Sequence, residues 1–299
     1  MSELCSLDSP ALAREWCRAR RAEGLSLGFV PTMGFLHEGH LSLVRRALAE
    51  NDLCAVSIFV NPLQFDEGAD LEAYPRDWEG DTSLLREAGA DLVFTGTLAQ
   101  FFEGELDAEG NLPGERLLDP GPGARGLEGA CRSGHFEGVA TIVDRLFEVV
   151  GPDRAYFGQK DLQQTLVVRD LAARRGSPEV VVCPTSREPS GLARSSRNAR
   201  LGPEELQRAT CISRALFAAS RAWLDGEPTV AALEELLAAE LEVPGVEVEY
   251  AVVRDRAAWT EGAPAGPLVD PVALVAARIG PVRLIDNHAL GERPPGGTA

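Results

Sequence analysis

Two histidines three residues apart, His37 and His40, stand in the stretch Pro31-Thr32-Met33-Gly34-Phe35-Leu36-His37-Glu38-Gly39-His40; the rest of the chain holds two more, His135 and His288. Imidazoles at this spacing can face one ligand, donating protons to it or binding a metal. Their surroundings point to an anion. Ahead of them an apolar run, Leu25 to Val30, reads as a buried strand, and behind them Leu41, Val44 and Leu48 fall on one helix face. A strand, a glycine-containing turn and a helix N-terminus together favour negative charge, because first-turn N–H groups lack intrahelical partners and the helix dipole is positive there. The arrangement suits a phosphate.

Two other readings stay open at this point. A His-x-x-His pair could ligate zinc, although a zinc-protease helix needs His-Glu-x-x-His. The two rings could also serve only as helix caps. The Walker pattern and Gly-x-Gly-x-x-Gly are both absent, which excludes a P-loop and the dinucleotide turn. His37-Glu38-Gly39-His40 resembles the His-x-Gly-His signature of the nucleotidyltransferase superfamily. That resemblance implies imidazoles that donate to phosphate oxygens as charge develops, with Gly39 admitting the nucleotide close to the backbone.

The elements that must position this motif follow from periodicity. Helix is expected over 8–23, 40–50 and near 81–88, and strand over 25–30, 53–60 and 91–94. Pro62 ends the 53–60 run and leaves polar Asn61 and Gln64 at its C-terminal edge, where ligands bind in an open parallel sheet. Residues 103–129 read as loop with one short strand near Leu117. Arg132-Ser133-Gly134-His135-Phe136 leads into a helix carrying Val139, Ile142, Val143, Leu146, Phe147 and Val150 on a helical template. A strand near 155–157 delivers Gly158-Gln159-Lys160-Asp161 to a helix running to about Ala173, and Val180–Cys183 is a further strand. Strands alternating with helices predict an α/β fold, a doubly wound parallel sheet, over residues 1–185. Residues 186–299 read as a smaller C-terminal α+β domain, with a polar loop over 185–201, helices near 203–225 and 229–241, strands near 246–254 and 282–286, and a disordered tail after Gly291.

Composition narrows the function. A formal net charge of −17 argues against nucleic-acid binding and means that an anionic substrate needs local positive charge. Six dispersed cysteines without CxxC spacing, no apolar run of membrane-spanning length and no secretion signal predict a cytoplasmic protein with no membrane partner. Of the 29 lysine and arginine residues, Lys160 is the single lysine. It suggests a position needing a compact ammonium rather than a planar fork. Asp161 could cap the following helix, and Gln164, one turn beyond Lys160, would face the same side. Ser195-Ser196-Arg197-Asn198 offers hydroxyls and a guanidinium on a loop apt to close over a triphosphate.

These stretches resemble, in order, the motifs of the pantothenate synthetase (pantoate–β-alanine ligase) family: Pro31–His40 its PTMGxLHxGH, Ser57–Phe65 its SIFVNPxQF, Tyr74–Arg76 its YPR, Gly134–Val139 its GHFxGV, Tyr156–Gln164 its FFGEKDxQQ, Arg187–Asn198 its REPDGLAxSSRN, and Arg283–Asn287 its RLIDN. The resemblance implies a Rossmann-like nucleotide-binding domain with a small C-terminal lid, usually as a homodimer. It implies ATP contacts at Met33, Gly34, Phe35, Leu36, His37, Glu38, Gly39 and His40, at Gly158, Gln159, Lys160 and Asp161, at Ser186, and at Arg194, Ser195, Ser196 and Arg197. His40, His37 and Lys160 would be catalytic, Gln64 and Gln164 would hold pantoate, β-alanine would also lie near Gln64, and Asp81 would stand near Mg²⁺. Gln159, Ser190 and Arg194 depart from the family pattern; two remove an acid and one adds a cation, so triphosphate attraction should be strengthened.

The expected reaction joins pantoate to β-alanine through a pantoyl adenylate, with release of pyrophosphate and then AMP. The rivals are another nucleotidyltransferase of this fold and a lapsed homologue that only binds ATP. Gln64 and Gln164 argue against a phosphorylated acceptor, which would need further cations.

Overall fold

The computed structural model describes residues 3–65, 71–226 and 228–294. Six parallel strands form one sheet in the order β1-β4-β3-β2-β5-β6, comprising β1 (Cys5–Leu7), β2 (Leu27–Thr32), β3 (Leu53–Ile58), β4 (Leu92–Phe94), β5 (Arg154–Gly158) and β6 (Glu179–Cys183). β2 and β3 read as continuous apolar runs because helices cover both faces of the sheet. One face packs α1 (Pro10–Ala22) and α4 (His135–Val150) around Leu27, Phe29, Phe94, Ile142 and Leu146; the other packs α2 (Glu38–Glu50) and α3 (Trp78–Ala88) around Val30, Val44, Val56 and Leu85. Winding reverses between β2 and β5, which pair at Gly28–Arg154 and Phe29–Ala155. In such sheets the crevice outside the carboxyl ends at this reversal is the ligand site. The His37–His40 motif leaves β2 at that edge.

The chain divides into two compact units. The first holds residues 1–124, 128–158 and 163–184; the second holds Arg125–Leu127, Gln159–Leu162 and the chain from Thr185. Within the second, α5 (Leu162–Arg175) contributes only Leu162, and α6 (Pro203–Gly226) and α7 (Val230–Leu241) pack on an antiparallel sheet. That sheet has the order β7 (Val246–Asp255), β8 (Pro271–Ile279), β9 (Val282–Ala289). Its core includes Ile212, Leu216, Leu233, Leu237, Val275 and Ile279.

Several expectations change. No strand forms near Leu117; Gly114–Arg116 is a 3₁₀ turn and Leu117 caps it. β1 was not anticipated, being three residues long, and neither was β8, the central strand of the small sheet. α3 starts at Trp78, earlier than expected, because Asp77 caps it by accepting the Gly80 N–H at 3.0 Å. The expected disordered tail falls mostly on residues 295–299, outside those described.

Candidate active site

The turn between β2 and α2 is held from within. The Thr32 hydroxyl donates to the Ser57 carbonyl at 2.7 Å and accepts the Gly34 N–H at 3.2 Å. Gly34 and Phe35 have φ of 84° and 51°. A Cβ on Gly34 would stand 2.9 Å from Asp81 Oδ2, so glycine is required both for conformation and for space. Phe35 is a non-glycine residue in the left-handed region, an arrangement that costs on the order of 1–3 kcal/mol and persists only when the surroundings enforce it. Asp81 supplies the enforcement: Phe35 N–H donates to its Oδ2 at 2.8 Å and Leu36 N–H to its Oδ1 at 2.6 Å.

Asp81 is 3% exposed. Burial pushes its carboxyl above the ordinary value, the Leu36 and Phe35 N–H groups pull it back, and nearby Asp77 pushes it up again. Both carboxylate oxygens accept backbone protons. The carboxylate shapes the turn.

His37 is the N-cap of α2. Its Nδ1 accepts the Gly39 N–H at 3.2 Å, while His40 Nδ1 accepts the His37 N–H at 3.3 Å. The rings stack with centroids 4.1 Å apart and planes 28° apart. A neutral imidazole whose Nδ1 accepts must carry its proton on Nε2. The capping and donating readings therefore hold together: the helix start consumes both Nδ1 lone pairs and fixes two Nε2–H donors at a positive helix end.

Gln64 lies in the 3₁₀ turn Pro62–Gln64 that follows β3. Asn61, 1% exposed, donates through Nδ2 to Gln64 Oε1 and to the Gly138 carbonyl, both at 3.1 Å. Gln64 Nε2 donates to Met33 Sδ at 3.2 Å, which links the amide to the histidine turn. Its main-chain carbonyl accepts His135 Nδ1–H at 2.9 Å and Arg132 Nη2–H at 3.2 Å. Arg132 Nη1 lies 3.1 Å from His135 Nε2, and since guanidinium only donates, Nε2 accepts and the Nδ1–H tautomer follows. Gln164 is half-buried in the first turn of α5, whereas its neighbour Gln163 is buried and satisfied by the Glu128 N–H and the Gly123 carbonyl.

β5 ends at Gly158, where a Cβ would meet nothing within 4 Å. In the second unit Gln159–Asp161 forms a 3₁₀ turn, with Lys160 Nζ 3.2 Å from Asp161 Oδ1. Ser195 caps the turn Ser196–Arg200 by accepting the Arg197 N–H at 3.3 Å. Arg194 pairs with Glu188 at 2.9 Å and donates through Nε to the Arg187 carbonyl. Its added charge is therefore largely compensated within the loop. Ser186 accepts the Arg194 N–H at its carbonyl.

The structure holds Met33–His40 and Gln64 in the first unit, and Lys160 and Arg194–Arg197 in the second, whereas the sequence reading set Lys160 within residues 1–185. That reading gave no role to Arg132 or His135, and set Asn61 only at the ligand-binding edge of the sheet. A polar residue ahead of Pro62 and a histidine opening α4 were the available signals.

A sequence model of the pantoate-beta-alanine ligase family matches residues 6–289. Pantothenate synthetase of Gluconobacter oxydans (strain 621H) is 48% identical over 268 residues, covering 89% of this chain and 94% of that protein. The pantothenate synthetase of Rubrobacter xylanophilus is 47% identical over 298 residues, covering 97% and 100%. Among solved structures, pantothenate synthetase from Thermus thermophilus matches with a TM-score of 0.82 at 40% identity, over 96% of this chain and 99% of that one. A pantoate-beta-alanine ligase from Francisella tularensis, described as complexed with beta-gamma ATP and beta-alanine, matches with a TM-score of 0.75 at 30% identity, over 98% and 100%.

Proposed function

Since this chain belongs to the pantoate-beta-alanine ligase family, we propose that it condenses (R)-pantoate with β-alanine in two steps at the expense of Mg²⁺–ATP. In the first, a pantoate carboxylate oxygen attacks the α-phosphorus, and the bond from that phosphorus to the pyrophosphate oxygen breaks. In the second, the neutral amine of β-alanine attacks the acyl carbon, the bond to the AMP oxygen breaks, and the amine proton leaves as pantothenate forms. The observation that carries this reading is the pair of Nε2–H donors fixed by backbone amides at the N-terminus of α2.

Each residue has a task in that scheme. His40 and His37 donate to phosphate oxygens as charge builds on them during pyrophosphate departure. Lys160 and Arg197 oppose the triphosphate charge, with Gly158, Gln159, Asp161, Ser186, Ser195 and Ser196 as further nucleotide contacts. Gln64 and Gln164 hold the hydroxyl and carboxylate groups of pantoate without adding charge, and β-alanine enters beside Gln64. Asp81 is a positioning residue for the turn, and Mg²⁺ arrives with the nucleotide, whose phosphates suit this reluctantly dehydrating ion. The family resemblance further supports a homodimer working in the cytoplasm; light scattering checks the first. No helix among the described residues is long and apolar enough to cross a membrane.

The order of chemistry gives the test. Labelled pyrophosphate should exchange into ATP with pantoate present and β-alanine absent, and exchange should vanish without pantoate. Exchange that strictly requires β-alanine would refute the adenylate, and exchange with a phosphorylated acceptor in place of pantoate would reassign the substrate.

A further inference from the structure

The stretch Arg283–Asn287 carries no group assigned to a substrate, yet its last two residues are among the most buried polar side chains of the second unit. Asn287 is 2% exposed and sits near the end of β9. Its Nδ2 donates to two consecutive carbonyls, Gln159 and Lys160, each at 2.9 Å. The reverse orientation would set Oδ1 against two carbonyl oxygens, so chemistry dictates which way the amide points. Oδ1 itself is buried without a protein partner, a desolvation cost that a purely space-filling residue would not incur.

The adjoining residue anchors a second segment. Asp286 meets Arg187 in a bidentate pair, Nη1 to Oδ2 at 2.6 Å and Nη2 to Oδ1 at 3.1 Å. Arg187 donates also to the Asn287 carbonyl at 3.2 Å and to the Gly191 carbonyl at 3.1 Å, with its guanidinium 5.0 Å from the Phe217 ring centroid. Arg187 bridges to Ala193 across the turn that leads into Arg194–Arg197. One strand end therefore ties down both segments of this unit that carry cations proposed for the nucleotide. A single 3₁₀ turn has little rigidity of its own, and an ammonium on a four-carbon stem can be no better placed than the peptide that bears it.

We propose that Asn287 is a positioning residue: its amide fixes the Gln159–Lys160 peptides and so sets where the Lys160 ammonium stands during adenylation. This rests on the role given to Lys160 above. Losing both donors should let the turn shift, and misplacement by a fraction of an ångström lowers turnover by about tenfold or more without abolishing binding.

The unique lysine makes the position readable without activity. Reductive methylation with ¹³C-formaldehyde labels Lys160 and the N-terminal amine alone, so one NMR signal reports the ammonium. Asn287→Asp removes both donors at constant shape; Asn287→Ala removes the side chain; Asn287→Ser keeps one donor and is the folded fallback. In the unmodified variants we expect pantoate-dependent pyrophosphate exchange to fall about tenfold for Asp and Ala, and less for Ser, through kcat with little change in KM for pantoate. In labelled protein the Lys160 signal should move in the same order, with Ser between wild type and Ala. A Lys160 signal in folded Asn287→Ala that superimposes on wild type would overturn the proposal. So would a displaced signal accompanied by unchanged exchange. If Lys160→Ala itself leaves exchange intact, the role of Lys160 fails, and the signal in the Asn287 variants still decides whether the amide places it.

Discussion

Gly138 offers a sharp perturbation because its hydrogen stands against main chain. A Cβ there would lie 2.1 Å from the Leu63 carbonyl oxygen, 2.4 Å from the Leu63 carbonyl carbon and 2.8 Å from Gln64 N. None of these is the far end of a flexible side chain. Real contacts need more than 3 Å, so Gly138→Ala must drive α4 and the Gln64 turn apart by roughly 1 Å, the scale at which misplaced groups cost about 10² in rate. The Asn61 bond to the Gly138 carbonyl, 3.1 Å in the native chain, would stretch beyond useful length. Overpacking of this kind costs about 1–3 kcal/mol, and for a chain of this size each kcal/mol lowers Tm by about 2–4 °C. The expected outcome is a folded protein with reduced Tm, kcat/KM for pantoate down by about 10², and ATP binding measured calorimetrically close to native. Gly114→Ala, where a Cβ meets nothing within 4 Å, is the control. Native kcat/KM for pantoate in Gly138→Ala would refute the argument that the α4 glycine sets the Gln64 turn.

Three further outcomes follow from the same geometry. His40→Ala should lose about 10²–10³ in turnover, the usual worth of one transition-state donor, together with roughly 1 kcal/mol of stability from the lost cap; near-native turnover would remove His40 from the mechanism. Lys160→Arg keeps charge but not shape, so at least ~tenfold loss is expected, and an arginine variant equal to wild type would reduce Lys160 to a point charge. Asp81→Asn places an amide N–H₂ against one of the two N–H groups that Asp81 accepts, which should raise KM for ATP. Because burial raises the Asp81 carboxyl above 3.8, the fold favours its protonated form, and the stability tied to that preference is lost as pH rises through the raised value. The stability of wild type relative to Asp81→Asn should therefore improve as pH falls through that window towards 3.8, and a difference in Tm independent of pH would contradict the burial argument.

The parallel sheet and the glycine-containing turns after β2 and β5 were legible because long apolar runs and glycines leave local signals. β1 was not, since three residues are too few to show a period. β8 was missed for the opposite reason: as a central strand buried at nearly every position, PVALVAARI lacks the alternation that marks a half-exposed strand. The supporting residues were the least legible of all. Asp81 reaches the Leu36 amide across forty-five residues of chain and the Phe35 amide across forty-six, His135 reaches the Gln64 carbonyl across seventy-one, and Asn287 reaches Lys160 across one hundred and twenty-seven. No spacing rule covers such separations. The backbone bonds that Asp81 accepts and the Glu188 partner of Arg194 likewise left no mark on the spacing.

A carboxylate set against Nδ1 would take a proton there and leave Nε2 of a neutral ring bare, and here it would carry an electrostatic penalty as well. A chain with net charge −17 already repels a polyphosphate, and one more anion against the rings would deepen that repulsion where attraction matters most. Two uncharged peptide groups, the amides of Gly39 and His37, set the tautomer instead. Orientation is thereby uncoupled from electrostatics: an acidic protein surface can change freely around the turn without altering which ring nitrogen bears the proton. The proton's address is written by the first turn of a helix, and any change that frays that turn alters acid–base chemistry before it alters a single contact to the nucleotide.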